Sequence, residues 1–92
     1  MNHNATERPL NVQNLLNLKG DIAIVECISA LPPGSRVYFE ITKKNDETLR
    51  CNGKIININK TSQNTFKVSV RLHTFPKGLL EDLQQIADQN TF

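Results

Sequence analysis

The chain has 92 residues, a length that suits one domain and leaves little room for a second. Charged residues make up 22% of it with mixed signs and a net charge of +2, which argues against intrinsic disorder and is too mild to indicate nucleic-acid binding by itself. No apolar run is long enough for a membrane span and the N-terminus lacks a signal-peptide pattern, so we expect a cytoplasmic protein.

The N-terminal region is polar and shows no periodicity before Pro9. Residues 1–9 are therefore predicted to be a flexible tail in front of a single domain at residues 10–92. The apolar positions of residues 10–18 fit either a strand that leads into a turn or one short helical turn. Lys19, Gly20 and Asp21 then predict a turn.

Four segments have the alternation or the β-branched content typical of strands. Val37, Phe39 and Ile41 alternate with polar residues, so one side of their strand is predicted to face a core. The phase of the alternation switches beside Gly53, which predicts a bulge or a strong bend and favours a curled sheet. The predicted strands are residues 21–29, 35–43, 48–59 and 65–75.

The C-terminal region has apolar residues at helical spacing, which predicts an amphipathic closing helix at residues 77–89. Leu79, Leu83 and Ile86 are expected to face the core. A small sheet must close or cover its edges. The predicted fold is therefore mainly β: a small antiparallel β-barrel or half-barrel with a C-terminal α-helix.

Residues that could carry out catalysis are not grouped in the sequence. The acidic residues fall mostly in turns or on the solvent side of the helix, where no pair could share acid–base work. His73 ends a strand on its outward side, a position more typical of a surface residue than of a base. Cys27 and Cys51 lack metal-ligand spacing and are expected to be buried thiols. We therefore expect a non-enzyme without a cofactor.

The polar side of the last two strands carries a series of cations. Lys67, Arg71 and His73 fall at positions i, i+4 and i+6 and so share one side of a strand. Arg50 and Lys54 join them if the preceding strand pairs as a hairpin, and Arg36 is expected nearby. Such a face could hold phosphate or an acidic partner, although an ordinary solvated sheet face has the same pattern.

Three segments resemble parts of a PilZ domain: residues 30–41 (ALPPGSRVYFEI), 53–56 (GKII) and 66–72 (FKVSVRL). The resemblance implies a six-stranded barrel followed by a helix. Many PilZ domains bind cyclic di-GMP through an R-x-x-x-R motif and a later D/N-x-S-x-x-G motif. The resemblance therefore also implies where ligand residues should stand.

This sequence departs from both motifs. Arg8 is the only arginine before the predicted barrel, and Asn14 occupies the D/N position. Leu16 stands where serine is expected, and Gly20 comes one residue late. Arg8, Asn14 and Gly20 are thus the remnants of a ligand site, without the arginine pair that would grip guanine and phosphate. The resemblance implies a shortened, degenerate family member.

The leading interpretation is a non-enzymatic, PilZ-like bacterial regulatory or adaptor module that acts through contacts with another protein, with weak or absent binding of cyclic di-GMP. A first alternative is a small-barrel nucleic-acid-binding protein that uses the basic sheet face. A second is a structural subunit that assembles through its edge strands. The sequence does not decide between them.

Overall fold

The computed structural model describes residues 7–73 and 77–89, which form one six-stranded sheet and one helix. The strands and the helix are β1 (Arg8–Pro9), β2 (Val12–Lys19), β3 (Ile22–Cys27), β4 (Arg36–Thr42), β5 (Thr48–Lys60), β6 (Phe66–Leu72) and α1 (Leu79–Gln89). Alternation along the strands sends every second side chain inward, as Val37, Phe39 and Ile41 show on β4, where all three are buried. The mainly β class with a C-terminal helix is confirmed.

The strand order is β1-β4-β5-β6-β3-β2, so the order along the sheet departs from the order along the chain. β4, β5 and β6 form an antiparallel meander, β3 adds to β6, and β2 adds to β3. The sheet is not closed, but β2 and β4 curl towards each other until some of their Cα atoms lie within 8 Å. The half-barrel form of the prediction therefore describes this sheet.

The helix fills the concave side of the sheet. Leu79, Leu83 and Ala87 recur at helical spacing and are buried in the same core as the inward residues of the strands. α1 contacts β2 in particular. The predicted closing helix is present and begins at Leu79, after a turn at residues 77–78.

The N-terminal prediction changes in one respect. Arg8 and Pro9 were assigned to a flexible tail, but they pair in parallel with Val37 and Tyr38 of β4. The backbone N–H of the buried Leu10 donates to the carbonyl oxygen of Tyr38 at 2.9 Å, which fixes this short strand. Residues 1–6 of the predicted tail lie outside the described residues.

The open question about residues 10–18 is answered by β2, which is a strand with two register shifts against β3. The expected irregularity near Gly53 is a bulge at Ile56, the extra residue between the pairs Ile55–Val70 and Asn57–Ser69. Gly53 itself is buried and faces the backbone of β6, where a Cβ atom would collide with the carbonyl oxygen of Arg71.

Both cysteines are buried free thiols, as expected from the sequence. Burial disfavours the charged thiolate and raises the pKa of Cys27 to about 11, with a smaller contribution from the neighbouring Glu26 carboxylate. Burial alone raises the pKa of Cys51 to about 11. Both groups are therefore inert packing residues of the core.

In the described part of the chain, no helix has the length and apolar character needed to cross a bilayer.

Candidate partner-binding face

Four cationic side chains line up across the outer face of the sheet. Arg36 on β4 pairs with Lys54 on β5, and Lys54 pairs with Arg71 on β6. Arg71 pairs with Ile22 on β3, and Ile22 pairs with Lys19 on β2. Directly paired residues point to the same side of a sheet. The four cations therefore form one row, which we call the cation row: Lys19, Arg36, Lys54 and Arg71.

The cation row is exposed to solvent, and the described residues place no carboxylate within 4 Å of it. All four side chains are exposed. Among residues 7–73 and 77–89, the ion pairs within 4 Å are those that Lys43 makes with Glu47 and Asp82. Arg36, Lys54 and Arg71 are thus like charges opposite one another on neighbouring strands, a pairing that destabilises a sheet. Lys19 lies opposite Ile22 instead.

The structure brings together only part of the predicted basic face. Lys54 and Arg71 lie directly opposite each other, as expected for a hairpin, and Arg36 joins them. Arg50 lies opposite Glu40, and its guanidinium carbon lies 4.6 Å from the centre of the Tyr38 ring. Tyr38 stands two residues from Arg36 along β4, and the Arg50–Glu40 pair stands four residues from the Arg36–Lys54 pair. Arg50 is therefore outside the cation row.

The other two predicted members of the face have different neighbours. Lys67 lies opposite Asn59 on one side and Glu26 on the other, so a carboxylate already stands beside it in the register. The backbone N–H of His73 donates to the carbonyl oxygen of Asn52 at 3.0 Å, which places this histidine just beyond Arg71 at the end of β6.

Glu26 is held by two hydrogen bonds at the other end of the outer face. Asn14 Nδ2 donates to Glu26 Oε1 at 3.0 Å, and Thr65 Oγ1 donates to Glu26 Oε2 at 2.8 Å. These bonds, first that of Asn14 and then that of Thr65, favour the ionised form and lower the pKa of Glu26 from its ordinary value of 4.5.

We expect Glu26 to make the stability of the fold depend on pH. Because its folded pKa lies below the unfolded value of 4.5, its contribution is complete above that value and is lost as the pH falls through the folded pKa. Glu26→Gln should therefore flatten the fall of the urea midpoint below pH 4.5. Glu81→Gln, an exposed change on α1 that also removes one carboxylate, is the control. Equal slopes in the two variants would contradict this role.

The remnants of the ligand motifs lie on three different elements. Arg8 lies on β1 and Asn14 lies on β2. The Asn14 amide is already bonded to Glu26. Gly20, with a φ of 61°, forms the β2–β3 turn, about 20 Å along the strand from Asn14 at about 3.4 Å per residue.

Two features of the outer face were not predicted from the sequence. Lys19 was assigned to a turn, yet it ends β2 and extends the cation row. Three isoleucines also share this face: Ile22 and Ile24 on β3, and Ile56 at the bulge of β5. The signal of Ile22 and Ile24 in the sequence is the near-continuous apolar run from Ile22 to Val25, which indicates burial on both faces. That of Ile56 is the switch of apolar phase beside Gly53.

No group of three or more His, Cys, Asp or Glu side chains is placed to hold a metal ion in the described part of the chain. Comparisons with protein-family models, with curated proteins and with solved structures give no match to this chain. The PilZ assignment therefore remains a prediction that rests on the sequence pattern alone.

Proposed function

We propose that this chain is a non-enzymatic, PilZ-like regulatory or adaptor module that binds another protein through the outer face of its sheet. In this proposal its affinity for cyclic di-GMP is weak or absent, and it works in the cytoplasm. The partner presents acidic groups to the cation row, and no chemical step takes place on the face.

The observation that carries the proposal is the cation row itself. Like charges opposite each other on neighbouring strands destabilise a sheet, and the described residues place no carboxylate within 4 Å of these four side chains. No ion pair among the described residues offsets this repulsion. An acidic partner surface would supply the missing charges, and complementary charges across an interface speed association and select partners.

Charge reversal in the row should weaken partner binding strongly. We expect the double substitution Lys54→Glu, Arg71→Glu to lose at least about tenfold in affinity for the protein partner, because two attractive contacts become repulsive. The measurement is affinity purification with the full chain as bait, after nuclease treatment, followed by quantitative comparison of the proteins retained.

The matched control is Lys44→Glu, Lys60→Glu, which makes the same change in net charge at exposed positions outside the row. Proteins retained by the wild type and the control but lost from the row variant support the proposal. An unchanged set of proteins on the row variant would refute it.

Calorimetric titration with cyclic di-GMP tests the ligand part, and tight, saturable heat would show that the nucleotide is a ligand after all.

Nucleic-acid binding is the second candidate, because the stacked pair of Tyr38 and Arg50 lies on the same face as the cation row. It predicts oligonucleotide binding that weakens steeply as salt rises.

The edge-strand alternative has less room at the seam of the half-barrel. A strand inserted between β2 and β4 would need about 10 Å between them, whereas they approach within 8 Å.

A further inference from the structure

Of the three isoleucines on the outer face, Ile24 and Ile56 lie beside the cation row and Ile22 lies within it. Ile24 on β3 pairs with Ser69 on β6. Ser69 pairs in turn with Asn57 on β5, and Ile56 is the extra residue just before Asn57. Ile22 stands within the cation row, between Arg71 and Lys19. We call Ile22, Ile24 and Ile56 the outer isoleucine patch. Its Ile24–Ser69 line runs parallel to the cation row, two residues or about 7 Å away along the strands.

The outer isoleucine patch is separate from the core. Ile22 and Ile24 are half-buried, but they belong neither to the core nor to the partly buried apolar residues that pack against it. Ile56 is 40% exposed. The described helix covers the concave face of the sheet and leaves this convex face to solvent. Single exposed aliphatic residues are ordinary, but here Ile22 and Ile24 are neighbours on one side of β3, and Ile56 lies across Ser69 from Ile24. This grouping beside a line of charge suits an interaction surface.

We infer that this face receives an acidic amphipathic helix of a partner protein, an inference that rests on the function proposed above and specifies its partner. The helix lies across the strands, with its apolar side on the outer isoleucine patch and its carboxylates on the cation row. Lys54 and Arg71 form the centre of the charged contact, and Ile24 and Ile56 form the apolar one.

The spacing of the two surfaces agrees. Neighbouring strands lie about 4.8 Å apart, so the row presents cations on β4, β5 and β6 at that interval. Helix residues three or four apart share one side and are separated by about 4.5–6 Å along the axis. Carboxylates repeated at this interval would meet successive cations, while the neighbouring apolar stripe falls about 7 Å to one side, over the isoleucines.

The isoleucine patch is what favours a protein segment over a nucleic acid. A nucleic acid would satisfy the cations with phosphates, but aliphatic side chains offer bases no aromatic surface for stacking. The aromatic residue of this face, Tyr38, already has the Arg50 guanidinium over its ring. An amphipathic helix uses both kinds of side chain that the face exposes.

The test measures binding of defined peptides to the full chain by fluorescence anisotropy. The first peptide, of about 18 residues, carries leucines on one face of a helix and glutamates on the flanks. A permuted peptide has the same composition with its leucines spread around the helix. A third replaces glutamate by glutamine, and an oligothymidine of similar length represents nucleic acid.

The variants separate the two parts of the surface. Ile24→Thr, Ile56→Thr removes the apolar contact while keeping β-branched residues that suit a strand. Lys54→Glu, Arg71→Glu removes the charged contact. Ile28→Thr, at a 59% exposed isoleucine outside the patch, and Lys44→Glu, Lys60→Glu are the controls. Circular dichroism and urea unfolding of each variant establish that it folds.

We expect the amphipathic peptide to bind at least about tenfold more tightly than the permuted and glutamine peptides. Each test variant should lose about tenfold or more in affinity, and each control should stay within about twofold. The inference is overturned if the permuted peptide binds equally well, if Ile24→Thr, Ile56→Thr binds normally, or if the oligothymidine binds more tightly than the peptide. Light scattering that shows a dimer dissociated by the isoleucine variant would assign the face to a second copy and would also overturn it.

These outcomes are separable from those of the proposed function. Loss of the protein partner from the row variant, together with no preference for the amphipathic peptide, would keep the proposed function and reject the helical partner. Retention of the partner by the row variant would reject both.

Discussion

Gly53→Ala should destabilise the fold by about 3 kcal/mol, although alanine is ordinarily favoured over glycine within a strand by roughly 0.5–1 kcal/mol. The new Cβ would collide with the carbonyl oxygen of Arg71 and come within 2.9 Å of Cγ1 of Val70. Backbone lies on one side of this contact and a buried side chain on the other, so neither can yield without separating β5 from β6. Urea unfolding should show a lower midpoint with an unchanged slope.

The control for this change is Asn52→Ala, which lies next to Gly53 on the opposite face of β5. Because Asn52 is only half-buried, we expect a change within about 0.5–1 kcal/mol. A Gly53→Ala protein as stable as this control would mean that β5 and β6 are less closely apposed than the structure has them.

Leu83→Ala should lower the free energy of unfolding by about 2–5 kcal/mol, a large part of the roughly 5–15 kcal/mol typical of a domain. Leu83 is fully buried, at 0% exposure, and alanine would leave a cavity between the helix and the concave face of the sheet. Thermal and urea unfolding followed by circular dichroism would measure the loss.

Gln85→Ala is the matched control, because Gln85 lies on the exposed side of the same helix and alanine is the best helix former. We expect it to change stability by less than about 0.5 kcal/mol. If Leu83→Ala behaved like Gln85→Ala, the helix would be an appendage of the sheet and would contribute nothing to its core.

The elements of the fold could be predicted wherever a periodic pattern was long enough to read. Val37, Phe39 and Ile41 mark the buried side of β4, and Leu79, Leu83 and Ala87 mark that of α1, because alternation and helical spacing persist over those segments. Arg8 and Pro9 could not be assigned to a strand, since two residues show no period and their parallel pairing with β4 is a long-range contact.

The candidate site could be predicted less completely, because alternation gives the face of a side chain but not its partner on the next strand. Lys54 and Arg71 were expected on one face and meet there. Arg50 and Lys67 share the face but stand elsewhere along it, a difference that depends on register. Lys19 was missed because β2 reaches the row only through β3. The pairing of β3 with β6 is a long-range contact that the pattern of the β5–β6 hairpin does not reveal.

The position of β3 between β2 and β6 has a consequence for how the protein assembles during folding. β4, β5 and β6 are joined in sequence by short turns and can pair locally, whereas the contact of β3 with β6 closes a long loop of chain. Such closure is entropically costly and is expected to come late. The meander alone carries Arg36, Lys54 and Arg71, but Lys19 and two of the three isoleucines arrive with the β2–β3 hairpin. A nascent or partly unfolded chain would therefore expose the central charges with Ile56 alone of the outer isoleucine patch beside them, and the complete surface would be a property of the finished fold.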